Sequence, residues 1–353
     1  MKRATPRTPA TPRAGGFRMP AEWEPHEATW IAWPHNRDDW PGRFPPIPWV
    51  YGEIVRKLSA VERVRILVNG RAQENEARRV LRKVGAVMDA VEFFACPTDR
   101  VWSRDYGPLF VRNRRGQVGM SAWRFNAWAK YDDWQHDAAV PAFLGKQLGL
   151  PMWETGMVLE GGSIDVNGEG ALLTTEECLL SPVQARNPGL SRGAIEKKLR
   201  AYLGIERTIW LRNGIAGDDT HGHVDDLARF VASQTVLLAT EHDRSDANYE
   251  PLRENAAILR ESGLHVVPLP MPRPLVFQGQ RLPASYANFY IANGIVLVPT
   301  FNDPADRLAL NTLARVFPGR TVTGIDCTAL IWGLGALHCM TQQQPAAGGV
   351  SAE

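Results

Sequence analysis

The sequence predicts an α/β fold made of about five successive strand-strand-helix-strand units. Two observations predict it. Apolar periodicity switches between about two and about 3.6 residues in a fixed order along the chain. Short polar clusters also recur at the junctions between units. If the units circle an axis, equivalent junctions converge on one place.

Each element follows from its own residues. The first copy is the least regular: a β-like run at 29–33 lies among Trp23, His26, Trp30, Trp33 and His35, and a Pro- and Trp-rich loop at 38–48 follows. Then come a helix at 50–60, a strand at 63–68, a helix at 72–84 and a strand at 91–95. The second unit has strands at 109–112 and 117–123, a helix at 138–148 and a strand at 153–159. The third has strands at 163–166 and 171–174, a helix at 192–203 and a strand at 208–211. The fourth has 227–232, 235–239, a helix at 247–262 and a strand at 265–269. The fifth has 287–291, 295–299, a helix at 306–316 and a strand at 321–325. The Pro-rich stretch 266–283 lacks a clear pattern and is expected to be a lid. Residues 1–16, basic and rich in Thr, Pro, Ala and Gly, are expected to form a disordered tail. Residues 17–347 are expected to form one domain, and 348–353 a frayed end.

Composition narrows the function. Of 353 residues, 44% are hydrophobic and 22% charged, as in ordinary globular proteins. A net charge of +2 argues against nucleic acid or an acidic membrane surface as partner. No apolar run is long enough to span a bilayer. Four scattered cysteines, Cys96, Cys178, Cys327 and Cys339, have no zinc-site spacing and read as reduced thiols. With no apolar segment in residues 1–16 to serve as a secretory signal, a cytoplasmic location is expected.

The junction clusters carry the chemistry. Asp105 sits in a loop between Trp102 and Gly107-Pro108. Glu160 ends an apolar strand and meets Gly161-Gly162, an awkward place for an unpaired carboxylate. The run His221-Gly222-His223-Val224-Asp225-Asp226 is the densest. On a strand, alternation would put both imidazoles on one face, as for a metal site similar to those of metal-dependent amidohydrolases. The same alternation would pair His223 with Asp225 for acid/base work. Structural histidines are the third reading. Cys339 follows Gly333 and Gly335, which let the backbone approach a ligand, and Gly335 counts among the expected substrate contacts. His338 adjoins Cys339, but on a strand neighbours face opposite ways, so His223 is the better base.

A thiol among Asp105, Glu160 and Asp225 has a raised pKa and makes a poor nucleophile, unless the substrate is a cation. A guanidinium fits: it is planar, always charged and complementary to carboxylates. Covalent attack by a thiolate splits a difficult hydrolysis into two steps.

The ordered motifs Trp23…Pro25-His26…Thr29-Trp30, Trp102-x-Arg104-Asp105-x-Gly107-Pro108, Glu160-Gly161-Gly162, Gly222-His223-Val224-Asp225, Asn288-Phe289-Tyr290…Asn293-Gly294 and His338-Cys339-x-Thr341-Gln342-Gln343-Gln344-Pro345 span most of the chain. Together they resemble the agmatine deiminase and bacterial peptidylarginine deiminase family of the guanidine-modifying superfamily. The resemblance implies a five-bladed, pentein-like α/β propeller and a cofactor-free hydrolase of linear amidines that acts on a small guanidinium substrate, agmatine. It implies Cys339 as nucleophile and His223 as acid/base. Asp105 and Asp225 would clamp the guanidinium, Glu160 would hold it or orient His223, and Trp102 would line the slot for the aliphatic stem. A homo-oligomer is compatible with it. Peptidylarginine deimination is the neighbouring activity; a metal-dependent amidohydrolase and a guanidinium binder without turnover are the rivals. The chain departs from the family pattern at Leu334, where glycine is usual, at Tyr106 and at His221.

Overall fold

The computed structural model describes residues 9–348. The described chain forms two four-stranded and three three-stranded sheets, with one two-stranded hairpin, Val276–Phe277 with Gln280–Arg281. The α/β class is therefore as expected. The fourth unit shows the wiring. Ala228–Ala232 runs antiparallel to Thr235–Thr240, the helix Tyr249–Glu261 crosses over, and His265–Pro270 returns parallel, with Thr235 opposite His265. The last unit repeats this with Tyr290–Ala292, Ile295–Thr300, the helix Ala305–Val316 and Thr321–Asp326.

The irregular first copy has a physical explanation. Its outer strand, Gln342–Pro345, comes from the far end of the chain and pairs antiparallel with His26–Ala32, Gln342 opposite Trp30. Arg63–Val68 and Val91–Ala95 then add in parallel. This closure ties the Cys339 segment to the N-terminal sheet.

Local chemistry sets the helix limits. Arg192–Leu203 starts where the Ser191 side chain accepts from Ala194 N at 3.3 Å and stops at Gly204, whose φ is 73°. Its Ile195, Leu199 and Leu203 recur every four residues and are buried. No helix among the described residues is long and apolar enough to cross a membrane.

Three expectations change. Residues 1–8 and 349–353 lie outside the described residues, but Pro9 to Gly16 do not behave as a tail. Trp153 Nε1 donates to Pro9 O at 2.7 Å, and Arg13–Gly15 form a 3-10 turn ahead of the strand Phe17–Arg18. The stretch 266–283 is not structureless: it completes one strand and then forms the hairpin. Proline there is compatible with an edge strand, which is where His265–Pro270 lies. The segments holding His221 to Asp226 and Cys339 are turns rather than strands.

Candidate active site

Five chain segments meet in one buried acidic cup. Asp105 lies in the four-residue helix Ser103–Tyr106, which is bound directly to the Cys339 turn. Arg104 N donates to Cys339 O at 3.1 Å and Ser103 Oγ to Met340 O at 2.8 Å. Asp105 Oδ1 accepts from Gly162 N at 3.0 Å and Oδ2 from Trp128 Nε1 at 2.9 Å. Trp128 is aimed by a turn in which Ala127, Trp128 and Ala129 all have left-handed φ, 49°, 57° and 54°.

Glu160 leads into the 3-10 turn Gly161–Ser163, and its Oε1 accepts from Arg186 Nε at 3.0 Å. His223 precedes the turn Val224–Asp226, its backbone held by Asp218 Oδ2 at 2.9 Å. Its imidazole is fully buried: Nδ1 lies 3.8 Å from Asp105 Oδ1 and 4.0 Å from Asp225 Oδ1, and Nε2 lies 3.9 Å from Glu160 Oε2. Neither ring nitrogen, nor Glu160 Oε2, nor Asp225 Oδ1, has a hydrogen-bond partner among the described residues. The imidazole thus sits among three carboxylates at distances beyond hydrogen-bond reach, and four buried polar atoms with no partner are what a ligand-binding group leaves. Gly162 packs against this cluster. A Cβ there would sit 2.6 Å from His223 Nδ1, 2.9 Å from Asp105 Oδ1 and 3.0 Å from Asp225 Oδ2.

Cys339 Sγ completes the cup, 3.9 Å from Asp225 Oδ2. Asn288 fixes it: Nδ2 donates to Sγ at 3.1 Å and to Asp226 Oδ1 at 2.8 Å, while Oδ1 accepts from His338 N at 2.9 Å. From Cys339 a cavity of about 260 Å³ leads outward, lined by Asp105, Trp102, Trp128, Leu334 and Gly335 among others. A Cβ on Gly335 would meet Trp102 at 2.6 Å, so glycine lets the indole pack close against the backbone there. Leu334, at φ 65°, occupies the left-handed conformation glycine favours.

The charges follow from burial and neighbours. Burial, opposed by His223 and reinforced by Asp225 and Glu160, raises Asp105 to about 6. Burial would raise Glu160 too, but Arg186 and then His223 outweigh it and lower the carboxyl to about 2. Asp225 lies below its usual range: burial acts upward, and His338 outweighs it. Burial disfavours charge on His223, yet Asp105, Cys178 and Glu160 hold its pKa well above the ordinary value. Burial, then Asp225, Asp226 and Asp105, pushes the Cys339 thiol well up. An anionic cup with a protonated imidazole and a neutral thiol is suited to a cation that restores the thiolate.

All the residues singled out in the sequence, Cys339, His223, Asp225, Asp105, Glu160, Trp102 and Gly335, come together here. His221 does not. Its φ of 62° turns it toward Ser181 Oγ, 3.1 Å from Nε2, and away from His223. The two-histidine metal site is therefore not formed, because the segment lacks the strand alternation it required. Donor sets that could hold a metal ion are instead Glu160, Cys178 and His223, and Asp225, Asp226 and Cys339. Sequence reasoning named neither Trp128, Arg186 nor Asp226 as a site residue, and it left Asn288 in a cluster without a role. Glu22, in Pro20-Ala21-Glu22-Trp23, carried no signal at all.

Comparison with known families matches residues 18–345 to the Porphyromonas-type peptidyl-arginine deiminases. The chain belongs to that family. The agmatine deiminase of Pseudomonas aeruginosa is 39% identical over 367 residues, covering 96% of this chain and 98% of that protein. Among solved structures, the agmatine deiminase of Enterococcus faecalis, described as catalysing its reaction, matches with a TM-score of 0.88 and 33% identity, covering 97% of this chain and 100% of that one. A cysteine-to-serine variant of the C. jejuni agmatine deiminase with substrate bound gives a TM-score of 0.87 and 32% identity, covering 94% of this chain and 97% of that one. The peptidyl-arginine deiminase match spans every residue of the cup, from Asp105 to Cys339.

Proposed function

We propose that the chain is an agmatine deiminase, a hydrolase that converts agmatine and water to N-carbamoylputrescine and ammonia through a covalent intermediate on Cys339. The observation that carries this reading is the set of unsatisfied buried atoms of His223, Glu160 and Asp225 beside Cys339 Sγ, in a chain this similar to agmatine deiminases. The cysteine-to-serine variant of the C. jejuni agmatine deiminase with substrate bound supports the nucleophile assignment.

Asp105 and Asp225 accept guanidinium N–H groups, Glu160 contributes its free oxygen, and Trp102 and Gly335 flank the aliphatic stem. The bound cation lowers the thiol pKa that burial among the carboxylates raises, and the thiol proton passes to solvent, leaving a Cys339 thiolate beside protonated His223. The Cys339 thiolate adds to the central carbon, forming a C–S bond and moving the C=N π pair onto nitrogen. His223, protonated, gives its proton to the leaving nitrogen; the C–N bond breaks, and ammonia departs. Neutral His223 then takes a proton from water, and the hydroxide adds to the amidino carbon. Collapse breaks the C–S bond, releases the hydroxyl proton to solvent, leaves the ureido carbonyl and returns the thiolate beside an imidazolium; the ammonia released earlier takes up a proton in solution, so the net products are the ureido compound and ammonium. The acid/base part supplies roughly 10²–10⁴-fold.

In this reading the five larger sheets are blades around one axis, their inner ends supplying the cup, and residues 17–347 form one domain that works in the cytoplasm. The closure of the first sheet by Gln342–Pro345 supports the circular arrangement. Ammonia release from agmatine, free arginine and a blocked arginine peptide tests the function. Agmatine is expected to be preferred by at least tenfold in kcat/KM; a preference for the peptide would assign protein citrullination instead.

A further inference from the structure

His338 takes no part in the steps above, yet each of its ring nitrogens faces a carboxylate. Nδ1 lies 2.6 Å from Asp225 Oδ2 and Nε2 lies 2.8 Å from Glu22 Oε2, with the side chain buried. Glu22 is itself gripped from three sides. Its Oε1 accepts from Ile291 N at 2.8 Å and faces Arg229 Nη2 at 2.9 Å; its Oε2 accepts from Arg104 Nη2 at 3.3 Å. Arg229 continues inward to Asp165 Oδ1 at 2.8 Å and Phe289 O at 2.8 Å.

We propose that His338 is a positioning residue: it pins Asp225 Oδ2 against a fixed Glu22, so that Oδ1 is the oxygen turned toward the guanidinium. This rests on the reading of the cup as a guanidinium site. The asymmetry of Asp225 supports it, since Oδ2 is bound to His338 while Oδ1 has no partner and lies 4.0 Å from His223 Nδ1. A free carboxylate has a broad terminal torsion; one held at a single oxygen does not. An imidazole suits the task because its two nitrogens sit on opposite sides of a rigid ring and can bridge two carboxylates. A glutamine amide carries both its N–H donors on one nitrogen and cannot span the two carboxylates in this way. With both nitrogens engaged, His338 is also unavailable as a base for Cys339, its neighbour in the chain.

The test compares wild type with His338→Gln and Glu22→Gln, each checked for its melting temperature. The saturable change that guanidinium ion makes to the rate of Cys339 alkylation by iodoacetamide gives a Kd that does not depend on the natural substrate, and agmatine turnover gives kcat and KM. In His338→Gln the guanidinium Kd and the agmatine KM are expected to rise at least tenfold, with the alkylation rate of the unliganded thiol within threefold of wild type. Glu22→Gln, which leaves the imidazole on Asp225 but loosens its far end, is expected to show a smaller rise and carries the test if His338→Gln does not fold. A folded variant with Kd and KM within twofold of wild type and only kcat or melting temperature reduced overturns the proposal. Wild type that releases no ammonia from agmatine overturns the substrate reading alone, and the Kd comparison still decides this one. Failure of guanidinium to change the wild-type alkylation rate in either direction overturns both.

Discussion

Asp105 shows how one buried carboxylate can set the working pH. Burial leads the causes that raise it from 3.8 to about 6. Only the ionised form offers the guanidinium a charged, bidentate acceptor, so kcat/KM, which reports the free enzyme, is expected to rise with pH through a midpoint near 6. A profile flat from pH 5 to 7 would remove Asp105 from the clamp. Glu160 runs the other way, from 4.5 down to about 2, and its stabilising contribution is present above about 4.5 and lost as pH falls through about 2. Arg186→Gln would strand that charge in a fully buried site. It is expected to cost ~3–5 kcal/mol at pH 7 by urea denaturation. The deficit should shrink toward pH 5, because the unpaired carboxyl can then take up a proton. These partners were not legible in the sequence. Arg186 and Glu22 are single charged residues in ordinary contexts, and only the folded chain reveals which carboxylate each one meets. Asp105, Glu160, His223 and Cys339 were legible because polar residues interrupt apolar runs there, beside glycines.

At the scale of elements, the period of the apolar pattern located most strands and helices. Arg63–Val68, Val91–Ala95 and the helix Arg192–Leu203 fall where they were expected. The failures are tight turns. With the His221 and Cys339 segments treated as strands, His338 was set aside by alternation as the poorer base. It remains excluded for a different reason: both its nitrogens are engaged. The turn Ala127–Ala129 had no signal, since none of its residues is glycine. Ala129 is exposed with φ 54°, so Ala129→Gly is expected to stabilise by ~0.5–1 kcal/mol, the relief of left-handed strain less the added freedom of the unfolded chain. Thermal melts check the sign, and a lower melting temperature would mean the turn is not strained. The Gly161–Ser163 turn makes a sharper demand. Gly162→Ala would push a methyl between His223, Asp105 and Asp225. The expected result is a folded protein with turnover reduced by at least ~10²-fold, in line with a misplacement of about 1 Å at a reacting centre.

The whole molecule depends on closure. A strand from residues 342–345 enters the sheet begun at His26, and this brings a thiol from one end of the sequence to carboxylates from residues 105 to 225. The order of units was legible because each repeats one pattern. The exchange of the terminal strand was not, since pairing between distant segments leaves no local period. In the proposed mechanism the cup that this closure builds serves a covalent step, and that step can be observed. Wild-type protein mixed with agmatine, quenched within one turnover and digested, should yield the Cys339 peptide carrying an amidino group, approaching one per chain before ammonia release becomes steady. Steady ammonia release with that peptide unmodified throughout, and undiminished in Cys339→Ser, would contradict the account.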